Sequence, residues 1–258
     1  MCVLGPSGRM GRAVLDAAAG RDEVRITAAI DRADAPGLGK PAVVADVVVS
    51  GDLEAGLAAS DVYIDFTTPD ATRAAAEVAA RHARAAVIGT TGLGPAGEAA
   101  IAQLSRAAPV VVAANFSLGV NLVLGLVRQA ARALGPEWDA EVVEAHHRGK
   151  RDAPSGTALM IARAIAAGHG SDYDRVKRHT RDGEVGPRPR GEIGVSAVRG
   201  GDVVGEHTAY FFGAAERLEI GHRATSRSIF AVGALRAAIW ACGQPPGRYD
   251  MLDVLGLQ

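Results

Sequence analysis

Residues 5–12 read GPSGRMGR and place glycines at Gly5, Gly8 and Gly11, immediately after a short apolar run. This spacing is typical of a strand that turns tightly into a helix, where the backbone approaches a pyrophosphate closely and the N–H groups at the helix start favour an anion. Asp31 follows Gly11 by about 20 residues, at the end of the next predicted strand, where a carboxylate accepts a hydrogen bond from a ribose hydroxyl. The sequence therefore predicts dinucleotide binding, with an ordinary glycine-rich turn as the structural alternative.

The residue that follows Asp31 leaves the choice of dinucleotide open. An acidic residue at this position suits NADH, whereas an adjacent arginine, here Arg32, can pair with the 2′-phosphate of NADPH. We therefore expect NADH or NADPH as the cofactor.

The order of the predicted elements determines the fold class. In the first half of the chain, short β-branched runs alternate with alanine-rich helical stretches, as in βαβ units around a parallel sheet. The predicted strands are 26–30, 43–49, 62–66, 86–88 and 110–113, and the predicted helices are 70–83 and 95–107. We expect a Rossmann-type parallel sheet from this part of the chain.

The pattern changes after Asn115. We predict helices over 119–134, 158–167 and 226–242, strands over 140–145, 193–198, 207–212 and 217–221, and an exposed Gly- and Pro-rich loop over 182–190. The later strands follow one another without helices, which favours an antiparallel or mixed sheet. The fold class is therefore α/β: a Rossmann-type parallel sheet domain over 1–117, completed by 227–258, plus a smaller α+β domain with a mixed or antiparallel sheet over 118–226.

The composition of the chain excludes several classes of partner. A formal net charge of −1 over 258 residues gives no basic surface of the kind that nucleic acid or an acidic membrane requires. The two cysteines, Cys2 and Cys242, have no CxxC spacing, so we expect neither a disulfide framework nor a metal site. The chain has neither a basic and apolar leader nor an apolar run of about 18 residues, and we therefore expect a cytoplasmic protein without a membrane span.

Residues 144–158, EAHHRGKRDAPSGTA, contain the highest concentration of residue types that serve in catalysis and ligand binding. On a strand, His146 and His147 would face opposite sides, which argues against a shared metal ion. Lys150 is one of only three lysines among 28 basic residues, and lysine has an ammonium whose pKa can be lowered enough to donate a proton near neutral pH. This segment therefore predicts acid–base or anion-binding work, with a polar strand edge as the structural alternative.

A Pro-Ser-Gly-Thr turn precedes the helical stretch at 158–167. Ser155, Gly156 and Thr157 would present backbone N–H groups and hydroxyls at a helix start, where a substrate carboxylate can bind as a phosphate does. The simpler interpretation is that Ser155 is a helix N-cap. A nucleophilic serine is not favoured, since the segment lacks an elbow motif.

Over nearly its whole length the sequence resembles the 4-hydroxy-tetrahydrodipicolinate reductases, also called dihydrodipicolinate reductases. The segments that carry the resemblance are GPSGRMGR, DFTTPDAT, VIGTTG, AANFSLGVN, EAHHRGKRDAPSGTA, GEHT and DMLDVLGL. The resemblance implies reduction of a cyclic dicarboxylic imine, derived from 4-hydroxy-tetrahydrodipicolinate, to tetrahydrodipicolinate with NADH or NADPH. This is a step in lysine and diaminopimelate biosynthesis.

The resemblance also implies roles for individual residues. His146 is similar to the family's catalytic histidine and Lys150 to its proton donor, and the substrate would be held by His147, Ser155, Gly156 and Thr157. The cofactor contacts would fall on Gly5, Pro6, Ser7, Gly8, Arg9, Met10, Asp31, Arg32, Gly89, Thr90, Thr91, Ala113, Ala114, Asn115 and Phe116. Pro6 and Ser7 depart from the smaller pair that the family often has. A homotetramer assembled through the sheet of the second domain is implied as well.

Two other functions fit parts of the pattern. Another two-domain NAD(P)-dependent amino-acid dehydrogenase would explain the glycine-rich loop but not the Pro-Ser-Gly-Thr turn. A dinucleotide-binding protein without turnover would keep the fold and lack the chemistry.

Overall fold

The computed structural model describes residues 1–42 and 47–257. This part of the chain forms two compact units. Unit 1 comprises Met1–Leu118 and Ser228–Leu257, and unit 2 comprises Gly119–Arg227. No helix within the described residues is long and apolar enough to cross a membrane.

Within the described residues, unit 1 is built on a seven-stranded sheet whose strand pairs are all parallel. In chain order its strands are β1 (Cys2–Leu4), β2 (Ala28–Ile30), β3 (Val49–Ser50), β4 (Val62–Asp65), β5 (Ala85–Ile88), β6 (Pro109–Val112) and β12 (Gly247–Tyr249). Its helices are α1 (Arg9–Ala18), α2 (Leu53–Ala58), α3 (Pro69–His82), α4 (Gly94–Ala107), α8 (Ser228–Ala241) and α9 (Met251–Leu255). The order across the sheet is β12-β6-β5-β4-β1-β2-β3, so β1 is central despite its length of three residues.

Apart from Asp65 at the end of β4, the central strands carry few polar groups because helices cover both faces of the sheet. Every residue of β1, β4 and β5 is buried, as is usual for parallel strands of this kind. α1 packs with α8, and α3 packs with α4. Two separate apolar cores result, one on each face. The fold therefore places the carboxyl ends of β1, β4 and β5, where ligands bind in open parallel sheets, at one edge.

Unit 2 has a five-stranded mixed sheet with the order β11-β10-β7-β9-β8. Its elements are α5 (Leu118–Leu134), β7 (Asp139–His146), α6 (Gly156–Gly168), α7 (Tyr173–Val176), β8 (Lys177–Arg178), β9 (Ile193–Arg199), β10 (Gly205–Phe212) and β11 (Arg217–Ala224). β10 is antiparallel to β7 and β11, whereas β9 is parallel to β7 and β8. α6 packs on β7 and β9.

The structure confirms the predicted fold class, a Rossmann-type parallel sheet plus a separate α+β unit, and decides for a mixed second sheet. Boundaries differ by a few residues. The predicted strand 26–30 is only Ala28–Ile30, the helix predicted at 158–167 begins at Gly156, and the strand predicted at 217–221 continues to Ala224. The predicted strand 43–49 falls mostly on residues outside the described part. α2, α7, α9, β8 and β12 were not predicted, because each is too short to show a periodic pattern.

Candidate functional site

In unit 1 the glycine-rich loop joins β1 to α1 and takes a conformation that side chains would block. Gly5 has a φ of +65°, and a Cβ at Gly11 would lie 2.1 Å from the carbonyl oxygen of Gly5. Gly8 is the N-cap of α1, and no side chain among the described residues caps this helix. The N–H groups of its first turn have no partner within the helix and are therefore suited to bind an anion.

Asp31 and Arg32 lie beside this loop, directly after β2. Oδ2 of Asp31 accepts a hydrogen bond from the N–H of Ser7 at 3.0 Å, and Oδ1 accepts one from the N–H of Arg32 at 2.9 Å. The Arg32 guanidinium lies 3.0 Å from the carboxylate of Asp34, and both side chains are largely exposed. The structure therefore brings Asp31 to the loop that the sequence predicted.

A buried carboxylate organises the ends of β4 and β5. Asp65 is fully buried, and its Oδ1 accepts hydrogen bonds from the N–H of Thr67 at 2.8 Å and from the Thr67 hydroxyl at 2.6 Å. The hydroxyl of Thr90 lies 3.4 Å from the same oxygen and receives a hydrogen bond from Thr72 at 2.9 Å. The Thr90 side chain is thus tied into the protein, whereas Thr91 is exposed.

Gly89 and the segment after β6 surround an aromatic pair. A Cβ at Gly89 would lie 2.0 Å from the ring of Phe66, which packs edge-on against Phe116 with 5.3 Å between centroids. Phe116 is buried, and Oδ1 of Asn115 accepts a hydrogen bond from the N–H of Ser117 at 2.8 Å. Of the predicted cofactor residues 113–116, Ala114 has the most exposed side chain.

A cavity of about 660 Å³ opens at this edge of the sheet. Its lining includes Gly5, Ser7, Gly8, Asp31, Arg32 and Thr67. The cavity therefore combines a close-approach glycine loop, a helix N-terminus and a carboxylate at a strand end, which are the three features that a dinucleotide requires. The residues present fit NADH or NADPH.

In unit 2 the alternation along β7 brings the chemistry-bearing residues to one face. Residues at every second position from Ala140 to His146 are buried, so Glu144 and His146 lie on the same side of the strand. The sheet register places His207 of β10 opposite Glu144 and Arg199 of β9 opposite His146. Four polar side chains from three strands therefore meet at this face.

Glu144 is the centre of this group. Its side chain is fully buried and accepts four hydrogen bonds: two from the Arg199 guanidinium at 2.8 Å each, one from Nδ1 of His146 at 2.6 Å and one from the N–H of Ser155 at 3.0 Å. Burial alone would raise the pKa of Glu144, but the hydrogen bonds from Arg199, His146 and Ser155 outweigh it and hold this pKa below its ordinary value. Glu144 is therefore an ionised carboxylate at neutral pH.

His207 is the neutral member of the group. Burial, followed by the nearby His146, lowers the pKa of His207 to about 4. Its Nε2 lies 2.9 Å from the hydroxyl of Ser155, and its ring packs edge-on against that of His146 with 5.1 Å between centroids. His207 thus supports both Ser155 and His146 without adding a charge.

Lys150 and His147 follow β7 in a turn, in which the N–H of Lys150 donates to the carbonyl of His147 at 3.1 Å. The ammonium of Lys150 lies 2.9 Å from Oδ1 of Asp152, and about a fifth of the Lys150 side chain is exposed. Asp152 also connects this turn to the Glu144 group, because its carbonyl accepts a hydrogen bond from the Arg199 guanidinium at 2.7 Å. The structure therefore brings the two predicted catalytic residues into one region of unit 2.

Ser155 is the N-cap of α6, and its hydroxyl accepts a hydrogen bond from the N–H of Ala158 at 3.2 Å. Both polar groups of Ser155 have protein partners, since its N–H donates to Glu144. Gly156 is exposed, and Thr157 is half-buried in the first turn of the helix. The N-cap interpretation of Ser155 is thus confirmed, and its predicted contact with the substrate stays a prediction.

The sequence did not indicate roles for Glu144, Arg199, Asp65, Thr67 or His207. One signal was available for Glu144. It precedes His146 by two residues on a predicted strand, so the two side chains share a face. Arg199 gave no such signal, because its position depends on the parallel pairing of β7 with β9.

The comparisons with known proteins agree with this arrangement of two units. The family model described as "Dihydrodipicolinate reductase, N-terminus" matches residues 1–116, and the model described as "Dihydrodipicolinate reductase, C-terminus" matches residues 119–255. The chain belongs to the dihydrodipicolinate reductase family. The resemblance inferred from the sequence motifs is thereby confirmed, and the alternative of another amino-acid dehydrogenase is set aside.

Individual relatives of the dihydrodipicolinate reductase family match over their full length. The 4-hydroxy-tetrahydrodipicolinate reductase of Alkalilimnicola ehrlichii is 48% identical, with 100% of this chain and 98% of the relative covered. The enzyme of the same name from Syntrophotalea carbinolica is 44% identical, with 100% and 99% covered. Dihydrodipicolinate reductases are oxidoreductases that use NADH or NADPH.

A solved structure of a dihydrodipicolinate reductase has the same fold. It is the dipicolinate-bound enzyme from Paenisporosarcina sp. TG-14, which is 25% identical and superposes with a TM-score of 0.81, covering 98% of this chain and 97% of that one. The fold of both units is therefore that of the family.

Proposed function

We propose that this chain catalyses the reduction, by NADH or NADPH, of the cyclic dicarboxylic imine derived from 4-hydroxy-tetrahydrodipicolinate to tetrahydrodipicolinate. The single observation that carries the proposal is the group at the end of β7, where a buried carboxylate holds His146 and the N-terminus of α6 together. The full-length similarity to reductases of this name supports the same reaction.

We assign the cofactor to unit 1. The N–H groups at the start of α1 would bind the pyrophosphate, and Asp31 would accept hydrogen bonds from the adenosine ribose. The remaining predicted cofactor contacts, Gly89, Thr90, Thr91 and residues 113–116, follow β5 and β6 at the same edge of the sheet. When bound, the cofactor supplies a hydride from its nicotinamide ring.

We assign the dicarboxylate substrate to unit 2. The N–H groups of Gly156 and Thr157 belong to the first turn of α6, a helix of 13 residues whose positive end favours a carboxylate. His147 and Lys150 are the nearby groups that can bind a second carboxylate. Because both ends of a dianionic ring would then be held, its reacting carbon would be fixed in one position.

The reaction adds a hydride and a proton across one double bond. The hydride arrives at carbon with its electron pair, and the resulting negative charge on the conjugated imine is neutralised by a proton. We assign this proton to the ammonium of Lys150, since an arginine would hold its proton too tightly. His146 would orient the ring or assist protonation through Nε2, because its Nδ1 is bound to Glu144.

The proposal is tested by mixing the purified protein with enzymatically generated 4-hydroxy-tetrahydrodipicolinate and following nicotinamide absorbance with NADH and NADPH in separate reactions. Rapid oxidation that depends on the substrate is expected with at least one cofactor. No oxidation by protein that binds both cofactors would reject the reductase and favour a dinucleotide-binding protein without turnover.

We further propose a homotetramer assembled through unit 2 and a cytoplasmic location. β11 is an edge strand of eight residues, and the apolar side chains of Phe212 and Leu218 are exposed on and beside it. A pairing of such edges would bury them. Sedimentation equilibrium tests the assembly, and a monomer at micromolar concentration would contradict it.

The two cysteines support the proposed cytoplasmic location. Cys2 and Cys242 are free thiols, which is consistent with a reducing compartment.

A further inference from the structure

The carboxylate of Glu144 has four hydrogen-bond donors around it, which is the full capacity of an ionised carboxylate. The Arg199 guanidinium and the Ser155 N–H can only donate. Arg199 remains charged at any physiological pH, and its two parallel hydrogen bonds to both oxygens stabilise the ionised form of Glu144. Glu144 therefore offers only lone pairs to its remaining neighbour, His146.

This fixes the tautomer of His146. Because an ionised carboxylate accepts and does not donate, the nitrogen that contacts it at 2.6 Å must carry a proton. The proton of the neutral ring therefore lies on Nδ1. Within the described part of the chain the hydrogen bond of the His146 ring is made by Nδ1, so that Nε2 is the nitrogen left for a ligand.

The space at Nε2 depends on a glycine. A Cβ at Gly205 would lie 3.0 Å from Nε2 of His146, closer than a carbon normally approaches. Because Gly205, the first residue of β10, has no side chain, Nε2 of His146 stays accessible on the side that faces Gly205.

We propose that Glu144 is a positioning residue for the reductase. It holds His146 in the Nδ1–H tautomer, and it also ties that ring to the start of α6 through Ser155, with Arg199 as its counter-ion. The proposal rests on the proposed function, since it assumes that His146 acts on the substrate through Nε2. Accordingly, one carboxylate sets the distance between the histidine and the helix N-terminus that would bind the substrate.

The role of Arg199 extends to the loop that carries Lys150. Its guanidinium also donates to the carbonyl of Asp152 at 2.7 Å. Asp152 in turn is paired with Lys150 through its side chain. The position of the predicted proton donor is thus linked to the same Glu144–Arg199 pair.

The first test uses the wild-type protein without substrate. Nitrogen-15 NMR of histidine-labelled protein, with the His146 signals assigned from their loss in His146→Gln, reports which nitrogen carries the proton when the ring is neutral. We expect the Nδ1–H tautomer. A ring protonated on Nε2 would overturn the proposal whether or not the protein reduces the imine, whereas absence of reduction would overturn the proposed function and leave this measurement valid.

The second test compares variants. In Glu144→Gln, one orientation of the amide places its NH2 group against the Ser155 N–H and breaks that link. The other orientation places the NH2 group against His146, where it can donate to Nδ1 only if the ring takes the Nε2–H tautomer. We expect kcat to fall about 100-fold, with a smaller change in the KM for the cofactor. The matched control is Glu141→Gln. Glu141 lies on the opposite face of β7 and is likewise bound to arginines, Arg181 and Arg188, so it should leave kcat and the His146 tautomer unchanged.

A third variant separates positioning from folding. Replacing both members of the buried pair, Glu144→Met with Arg199→Met, removes both charges together and is expected to fold, because apolar replacements of buried ion pairs are often neutral or stabilising. We expect its His146 to lose the single Nδ1–H tautomer and its kcat to stay low. A folded double variant with the wild-type tautomer and wild-type kcat would contradict the proposal.

Discussion

The ammonium nitrogen of Lys150 lies 2.9 Å from Oδ1 of Asp152. This hydrogen bond is the main reason that the pKa of Asp152 is held below its ordinary value. Asp152 is therefore negative at neutral pH and binds Lys150 when no substrate carboxylate is present. On binding, the substrate would compete with Asp152 for the same ammonium.

Replacement of Lys150 is the most direct test of its assignment as proton donor. We expect Lys150→Ala to lower kcat on the order of 10²-fold to 10⁴-fold, since a general acid contributes about this much. Steady-state oxidation of NADH or NADPH measures the effect. Lys177→Ala is the matched control, because Lys177 also pairs with an aspartate, Asp174, in unit 2. Near-normal turnover by Lys150→Ala would remove Lys150 from the mechanism.

A substitution in the glycine-rich loop should weaken the binding of the cofactor. In Gly11→Ala the new Cβ would lie 2.1 Å from the carbonyl oxygen of Gly5, so the loop must move away from the position that a pyrophosphate requires. We expect the Kd for NADH to rise at least roughly tenfold, since one or two charged hydrogen bonds would be lost. Fluorescence titration measures this. In the control Gly243→Ala the nearest atom to the new Cβ lies at 3.7 Å, and equal weakening in both variants would argue against the loop as the binding site.

Arg32 is the residue that we expect to distinguish NADPH from NADH. Its guanidinium is exposed and contacts only the exposed Asp34 among the described residues, so it can turn toward a 2′-phosphate at little cost. We expect Arg32→Ala to raise the KM for NADPH roughly tenfold and to change the KM for NADH much less. Arg21→Ala, which removes another arginine of unit 1 paired with a nearby glutamate, serves as the control. Equal changes in the KM values for NADH and NADPH would show that Arg32 does not bind the 2′-phosphate.

His207 predicts a pH dependence of stability. Its pKa is lowered from 6.5 to about 4 in the folded protein, so between these values the unfolded chain binds a proton at this site that the folded chain does not. The free energy of unfolding must therefore decrease as pH falls from 6.5 toward 4, by on the order of 3 kcal/mol in total from this residue.

Urea denaturation at several pH values, in the wild type and in His207→Asn, isolates this contribution. His169 also has a pKa lowered by burial, but it contributes equally to both proteins. The variant should lose less stability than the wild type over the interval. The same slope in both proteins would mean that His207 is charged in the folded state.

Much of the fold was predictable from sequence because its signals are local. The run GPSGRMGR indicated the β1–α1 turn, and the alternation of apolar and helical stretches indicated the parallel sheet. The strand β12 was not predictable, since its three residues, Gly247–Tyr249, become a strand only through pairing with β6. Short elements of this kind depend on tertiary contacts and have no periodicity of their own.

The candidate site divides in the same way. His146 and Lys150 were identified because their residue types and the motif around them are distinctive. Arg199 and His207 are separated from Glu144 by more than 50 residues in sequence, and only the register of β7 with β9 and β10 brings them together. Ser155 could be predicted only in part. A serine before a helix fits both a substrate-binding residue and an N-cap, and the sequence alone does not choose between them.

Hydride transfer from a reduced nicotinamide to a cyclic dicarboxylic imine is the reaction that we propose for this chain. The most direct measurement supplies the protein with NADH deuterated at the transferable position of the nicotinamide ring, together with enzymatically generated 4-hydroxy-tetrahydrodipicolinate, and analyses the product by mass spectrometry. We predict tetrahydrodipicolinate that carries the deuterium, and loss of this product in Lys150→Ala. Product that forms without deuterium, or cofactor that is oxidised without any tetrahydrodipicolinate, would contradict the claim.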